Sequence, residues 1–191
     1  MVGTRQFNEE GTIELALELF WQQGLAATSM PHLAEVTGVQ RGSLYNAYGG
    51  KDALFLRAFD VYEARFLGAA RAALDRADLK EALMAFLGVA IVNMTGGAPS
   101  RGCLTTKTAM EMGGHGQPIR DRVRKLLDDL EAAVRAALSS PEKARGLSLP
   151  PDQAAQIIVT FTRGLAVMER VYGDQHRLEQ SAAALVRILV A

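Results

Sequence analysis

Apolar residues recur at three- and four-residue spacing through almost the whole chain, and this period predicts helices. No segment keeps the alternation with a period of two that a half-buried strand shows. The fold class is therefore expected to be all-α, with about nine helices. The predicted helices span residues 8–23, 28–38, 40–48, 51–77, 79–95, 101–112, 119–137, 152–172 and 177–190.

Residues 28–55 carry the pattern of a helix-turn-helix. Gly38 lies where the first short helix must end, because glycine accepts the left-handed backbone angle of such a turn without steric cost. Leu44 and Tyr48 are spaced i, i+4, so they share a face and anchor the second short helix. The outward positions of that helix carry hydrogen-bond donors, one cation and small residues, which suits a groove of DNA: Gln40, Arg41, Ser43, Tyr45, Asn46 and Ala47.

The same stretch resembles the DNA-binding signature of TetR-type transcriptional regulators. The resemblance rests on the run T-S-M-x-x-L-A-x-x-x-G-V-x-x-G-S-L-Y-N-A-Y-G-x-K-D-A-L-F and covers about the first third of the chain. The chain departs from the family pattern in two places: Pro31-His32 replaces an unrestricted polar pair, and Tyr48 replaces the more usual phenylalanine. The expected organisation is a helix-turn-helix domain over residues 1–55 and an effector-binding and dimerisation domain over residues 56–191. The helix that begins at residue 51 links the two.

Eight residues are predicted to contact DNA. The resemblance implies that Tyr45 and Lys51 touch the DNA backbone, and the alternative is a solvated surface pair. Thr28 or Ser29 is expected to cap the first short helix. Thr28 is also a candidate phosphate contact, although capping alone would explain it. Arginine suits guanine edges and asparagine or glutamine suits adenine, so the base-reading candidates are Gln40, Arg41, Gly42, Ser43 and Asn46.

The charge balance argues mildly against DNA binding. The chain of 191 residues has 21 basic and 21 acidic residues, and residues 1–76 have seven basic against nine acidic residues, a net charge of −2. Nucleic-acid-binding proteins usually carry a basic stripe. Binding must therefore come from a few placed contacts, such as Arg5, Arg41 and Lys51, and a dimer would double them.

The two C-terminal helices indicate how such a dimer forms. Residues 154–172 are apolar around most of the helix circumference, and a second apolar helix follows at the chain end. A helix apolar nearly all round must be buried nearly all round, either as a central core helix or at an interface. The resemblance implies a homodimer through helices 152–172 and 177–190, whose two-fold symmetry matches two half-sites of double-stranded operator DNA.

Methionine and aromatic residues within 79–171 predict a pocket for a small-molecule effector that is largely apolar. A methionine-rich stripe at helical spacing is more often plain core, and the sequence does not separate the two. Lys107 and Glu111 are the polar anchors in this prediction. The candidate lining is Phe86, Leu87, Ile91, Met94, Cys103, Lys107, Met110, Glu111 and Phe161.

Cys103 follows Arg101-Gly102 at the start of a predicted helix, where amide dipoles lower the pKa of a thiol. Some TetR-like regulators carry a similar R-G-C-L run, and in some of them the cysteine senses electrophiles or oxidants. The alternative is a small apolar side chain packed in the core, as free cysteines commonly are.

Other classes of protein find little support. Glu111 and His115 have the spacing of metal ligands, but Gly113-Gly114 interrupts the helix between them, so no metal site is predicted. The glycine pairs lack the lysine and hydroxyl of a phosphate loop, so neither catalysis nor a cofactor is expected. With one cysteine, no signal peptide and no apolar run near the roughly 20 residues of a membrane span, a cytoplasmic protein without membrane contact is expected.

The leading hypothesis is a ligand-responsive DNA-binding transcriptional regulator. It would be a repressor that a small, largely apolar molecule releases from its operator. The alternative is a helical small-molecule-binding or interaction protein whose N-terminal domain no longer grips DNA, which the acidic balance of residues 1–76 favours.

Overall fold

The computed structural model describes residues 7–111, 113 and 116–191. Arg5, Met112 and His115 lie outside the described residues. Within the described ranges the chain is helical without strands, which confirms the predicted all-α fold class. The helices there are α1 (Glu9–Gln23), α2 (Met30–Thr37), α3 (Arg41–Tyr48), α4 (Lys51–Leu74), α5 (Leu79–Thr95), α6 (Leu104–Met110), α7 (Gln117–Leu138), α8 (Pro141–Arg145), α9 (Pro151–Tyr172) and α10 (Gln175–Leu189).

Side-chain caps begin α1 and α2, and a left-handed glycine ends α2. The Asn8 carboxamide oxygen accepts the Gly11 amide at 3.2 Å where α1 begins. The Ser29 hydroxyl oxygen accepts the His32 amide at 3.3 Å where α2 begins. Gly38, with φ 67°, ends α2 in the left-handed conformation that the sequence predicts.

Helix α4 is the central element of the fold. Its 24 residues extend about 36 Å and pack against α1, α5 and α7. A column of aromatic rings follows its buried face: Phe55, Phe59, Tyr62 and Phe66 lie 5.5–6.0 Å apart between successive centroids. Phe20 of α1 meets Phe55 edge-on at 5.2 Å. One continuous hydrophobic core therefore joins α1–α3 to the later helices, and the predicted domain division at residue 55 falls inside α4.

Two segments differ from the predicted helices. Helix α6 begins at Leu104 and not at 101, because Gly102 adopts φ 71° and its amide turns back to the Met94 carbonyl oxygen at 3.0 Å. The predicted loop over 139–149 contains the short helix α8. Ser140 caps it and Pro141 occupies its first turn, a start signal that the sequence carries.

Helices α9 and α10 are only half-buried within one chain. The buried face of α9 includes Ile158, Thr162 and Leu165. Its other face leaves large apolar side chains exposed, so the expectation of burial on nearly all sides is not met by the single chain. The large apolar residues exposed on these two helices are Ile157, Val167, Met168, Val171, Tyr172 and Ile188. In the described part of the chain, no helix combines the length and apolar character needed to cross a membrane.

Candidate nucleic-acid interface and ligand cleft

The exposed side of α3 carries most of the predicted DNA contacts. Leu44 is fully buried and fixes the helix on the core, so Arg41, Tyr45 and Asn46 face outward. The Arg41 guanidinium lies 5.5 Å from the centre of the Tyr45 ring. A Cβ added at Gly42 would meet no other atom within 4 Å, so the backbone of α3 is open to close approach here.

The other predicted contact residues are placed differently. Gln40 is exposed and precedes α3, whereas Ser43 is half-buried. The Lys51 ammonium donates to the Leu25 carbonyl oxygen at 2.8 Å. Thr28 is only 2% exposed, and its hydroxyl donates to the Gly24 carbonyl oxygen at 2.6 Å. Ser29 therefore caps α2 in its place, and the Thr28 hydroxyl is not available to a phosphate in this conformation.

Several carboxylates of the acidic N-terminal part pair with later elements of the chain. Glu14 pairs with Arg65 of α4, and Glu18 pairs with Arg101 at 3.0 Å. Burial raises the pKa of the Glu63 carboxyl, while Arg122 opposes that shift at 2.9 Å. These three carboxylates and the arginines that pair with them all lie outside α2 and α3. This part of the negative charge of residues 1–76 is therefore not on the exposed side of α3.

Two side chains of the α6 segment complete the hydrogen bonding of the corner between α1 and α2. Gly24, at φ 89°, ends α1, so the carbonyls of Trp21 and Gln22 lose the partners a continuing helix would provide. The Lys107 ammonium donates to these two oxygens at 2.6 and 2.9 Å. The Glu111 carboxylate accepts the amides of Leu25 and Ala26, each at 3.0 Å, which are the donors that the broken helix leaves unpaired.

Lys107 and Glu111, spaced i, i+4, together bridge the end of α1 through these hydrogen bonds, and we call this pair the splint. Burial lowers the pKa of the Lys107 ammonium, with a further contribution from Arg170. Adding a Cβ at Gly24 would bring it to 2.3 Å from a Glu111 carboxylate oxygen, so glycine is required for this close approach. The pair connects α6 directly to the helix that precedes the α2–α3 unit.

A cavity of about 610 Å³ lies between α1, α4 and α5, and we call it the α1–α4–α5 cleft. Its apolar walls include Leu17, Trp21, Phe66, Val89 and Val92. Its polar groups include Glu14, Glu18, Arg65, Asn93 and Arg101. Burial raises the pKa of the Tyr62 phenol, which lines the cleft and accepts hydrogen bonds from Asn93 and Thr105 at 3.2 Å.

The predicted effector residues do not form this cleft. Phe86, Leu87, Ile91 and Met94 are at most 2% exposed and pack in the core on the buried face of α5. Phe161 packs partly buried against the same core. Cys103, Lys107, Met110 and Glu111 instead line a smaller cavity of about 290 Å³ between α6 and α9. The predicted set is thus divided between plain core and this second cavity.

Cys103 lies beside a cation. The Arg163 guanidinium is 3.4 Å from its sulfur, and the thiol is 3% exposed. Burial is the largest influence and opposes ionisation of the thiol, but Arg163 together with hydrogen bonds from Thr106 and Tyr62 holds the pKa of Cys103 below its ordinary value.

The sequence interpretation assigned no role to Trp21, Tyr62 or Arg101 in a site. The Trp21 indole donates to the Gly102 carbonyl oxygen at 2.7 Å, and the Arg101 guanidinium lies 3.7 Å from the indole centre. A signal was present on α1, because Glu14, Leu17, Glu18 and Trp21 follow i, i+3, i+4 and i+7 and line one face. A face that mixes two carboxylates with two large apolar groups is unusual for a simple core helix.

Comparison with known families decides the class of protein. Residues 13–58 match the family "Bacterial regulatory proteins, tetR family". Residues 64–185 match "Tetracyclin repressor-like, C-terminal domain". The chain belongs to the TetR family. It is a DNA-binding transcriptional regulator, and the family is regulatory and not enzymatic.

The relatives of this TetR-family regulator include several with full-length similarity. The HTH-type transcriptional repressor ComR of Escherichia coli (strain K12) is 24% identical over 188 residues, covering 95% of this chain and 89% of ComR. A cysteine mutant of CifR, solved with a 26-base-pair double-strand operator DNA, has a TM-score of 0.84 at 22% identity, covering 97% of this chain and 98% of that one. Escherichia coli NemR in its reduced form also has a TM-score of 0.84, at 19% identity, covering 95% and 96%. These two structures share the fold of this chain.

Proposed function

We propose that this regulator is a homodimeric cytoplasmic repressor that places α3 in the major groove of double-stranded operator DNA. The observation that carries the proposal is the exposed row of Arg41, Tyr45 and Asn46 around the open backbone of Gly42. Arginine and asparagine are the side chains that pair with guanine and adenine edges in that groove. Gln40, Gly42 and Ser43 complete the base-reading set, with Ser43 at its half-buried margin.

Tyr45 and Lys51 are proposed to hold phosphates next to the base-reading residues. The Tyr45 side chain is 41% exposed, so its hydroxyl is open to a phosphate oxygen. The Lys51 ammonium has three donors and uses one of them on the Leu25 carbonyl. It can therefore bind a phosphate and keep the α1–α2 corner in place at the same time.

Dimerisation is proposed to use α9 and α10. Their exposed faces carry Val167, Met168 and Val171 of α9 and Ile188 of α10, which are 45–69% exposed in the single chain. Large apolar side chains clustered on one surface typically mark a protein interface. A two-fold dimer doubles the few DNA contacts of each chain and presents two copies of α3 to two half-sites.

The repressor is proposed to leave its operator when a small, largely apolar effector binds. An effector can shift the equilibrium only if it binds one conformation better than the other. The splint from Lys107 and Glu111 to the end of α1 provides a physical connection between the C-terminal helices and the DNA-binding helices.

A second effector route is covalent reaction at Cys103, which Arg163 favours by stabilising the thiolate. Electrophiles and oxidants attack the thiolate form, so a cysteine with a lowered pKa is the more reactive. The cavity that Cys103 lines with Met110 and Ala166 gives such a reagent a place to bind.

Fluorescence anisotropy with DNA from upstream of the regulator's own gene tests the DNA-binding proposal. Arg41→Ala should weaken specific binding by about 5- to 150-fold, since a good bidentate base contact contributes roughly 1–3 kcal/mol. Tyr45→Ala should also weaken binding, because it removes a contact to a phosphate. Arg71→Ala is the matched control, because it removes one exposed positive charge about 30 Å along α4 from Lys51. Equal effects of Arg41→Ala and Arg71→Ala would contradict the assignment of α3 as the reading helix.

A further inference from the structure

We propose that the α1–α4–α5 cleft binds a small apolar carboxylate, and that this ligand replaces Glu18 of α1 on Arg101. The inference rests on the proposed function, because it assigns the effector to a particular site and chemical class. The cleft lies partly on α1 of the DNA-binding region, whereas the sequence interpretation placed the effector wholly among later helices.

The cleft has the size and lining of a ligand site. Its volume of about 610 Å³ falls within the ~300–1,000 Å³ typical of small-molecule pockets. Val92 is 64% exposed although it lies in a concavity, so an apolar surface is left open to solvent there. Gly88 widens the cleft on the α5 side, because a Cβ at this position would meet no atom within 4 Å.

Both arginines of the cleft are already oriented to bind a carboxylate. The Arg65 guanidinium makes two parallel hydrogen bonds to Glu14, one of them at 2.8 Å between Nη1 and Oε2. Paired donation of this kind is the geometry in which arginine recognises carboxylates. Arg101 binds the Glu18 carboxylate through Nη1 at 3.0 Å. Glu18 therefore occupies the position that the carboxylate of a ligand would take.

Because Arg101 is more enclosed than Glu18, a ligand carboxylate can replace Glu18 more easily than a ligand cation can replace Arg101. The Arg101 side chain is 28% exposed and is held against the Trp21 ring, whereas the Glu18 side chain is 46% exposed. Glu18 can turn into water at small cost, but a cationic ligand would have to displace an arginine that the protein holds in place.

Replacement of Glu18 would act directly on the DNA-binding helices. Glu18 belongs to α1, while Arg101 follows α5. A ligand carboxylate on Arg101 removes a charged contact that holds α1 against the rest of the chain. Helix α1 leads into α2 and α3, so the ligand-bound form differs from the free form in the position of the reading helix.

Three probes that share a naphthalene ring and differ in charge test the proposal. They are 2-naphthoate, 2-naphthalenemethanol and 2-naphthylmethylammonium, each titrated into the full-length protein by calorimetry and then added to the operator complex in an anisotropy assay. We expect 2-naphthoate to bind at least tenfold more tightly than the other two and to weaken operator binding about tenfold, within the range of allosteric couplings. Equal or tighter binding of the ammonium compound, or no binding of 2-naphthoate, overturns the proposal.

The Gly88→Leu substitution tests whether the ligand binds within the cleft. The substitution fills open space on α5, so it should abolish 2-naphthoate binding and leave operator affinity within about twofold. Gly68→Leu is the matched control, because it adds the same side chain to an exposed, open glycine of α4 outside the cleft lining. Unchanged binding of 2-naphthoate to Gly88→Leu overturns the assignment of the site. Calorimetry needs no DNA, so loss of operator binding alone would count against the proposed function and not against the cleft.

Discussion

The Lys107→Met substitution should show how much the hydrogen bonds of Lys107 stabilise the fold. The ammonium donates to the carbonyl oxygens of Trp21, Gln22 and Arg101 at 2.6, 2.9 and 2.6 Å. Methionine keeps the apolar part of the side chain and removes the three donors. The Trp21 and Arg101 bonds are partly buried, so these two oxygens lose a partner that water replaces poorly, whereas the exposed Gln22 bond can be replaced by water.

The loss of free energy of unfolding is about 2 kcal/mol, taking roughly 1 kcal/mol for each partly buried oxygen left without its donor. The gain from no longer burying an ammonium keeps the value from being larger, since burial lowers the pKa of Lys107. For a chain of 191 residues this corresponds to a melting temperature lower by about 4–8 °C.

Urea denaturation and thermal melts measure the change, with Lys80→Met as the matched control. Lys80 is exposed on α5, so the control removes the same charge without opening a helix end. The Lys107→Met protein should also bind operator more weakly, because the α1–α2 corner loses the hydrogen bonds from Lys107 that hold it in place. Equal stability of the two variants would refute the capping role of Lys107.

Two further predictions concern the interface and the thiol. Val171→Asp should convert the dimer to a monomer in sedimentation velocity, because it charges an exposed apolar position of α9. Met84→Asp, at an exposed position of α5, is the control and should leave the dimer intact. A dimeric Val171→Asp protein would contradict the proposed interface. Alkylation of Cys103 should reach half its maximal rate at a lower pH than a free thiol, because its lowered pKa produces thiolate earlier as pH rises. Arg163→Gln should move that midpoint upward, and an unchanged midpoint would refute the role of Arg163. In the operator assay, release by N-ethylmaleimide should be absent in Cys103→Ala if the thiol is the sensor.

The local elements could be predicted because their signals lie within a few residues of each other. The helical period and the cap at Asn8 define α1, and Gly38 marks the end of α2. The outward row of α3 follows from the buried position of Leu44 and the period of a helix. The fold class was predictable for the same reason.

The cleft could not be predicted because it depends on residues that are distant along the chain. Trp21 and Arg101 come together only once α1 lies against the end of α5, and their separation of 80 positions carries no periodic signal. The methionine and aromatic positions of α5 predicted a pocket, but the period identifies a buried face without showing whether space remains beside it. Thr28 was likewise assigned from a capping pattern in which Ser29 is the residue used.

The central claim is that a few placed contacts in a dimer, and not a basic surface, bind the operator. Arg41 in the groove and Lys51 at a phosphate, in each of two chains, place four cations on the DNA. They displace about four counterions, which predicts a slope of log affinity against log salt of about −4. Lys51→Ala should reduce that slope by about 2, since it removes one contact from each chain. The decisive measurement is operator affinity by anisotropy between about 50 and 200 mM salt, for the unmodified protein and Lys51→Ala. A slope near −4 that falls to near −2 agrees with the account, and either no specific binding or a slope beyond about −8 in both proteins would contradict it.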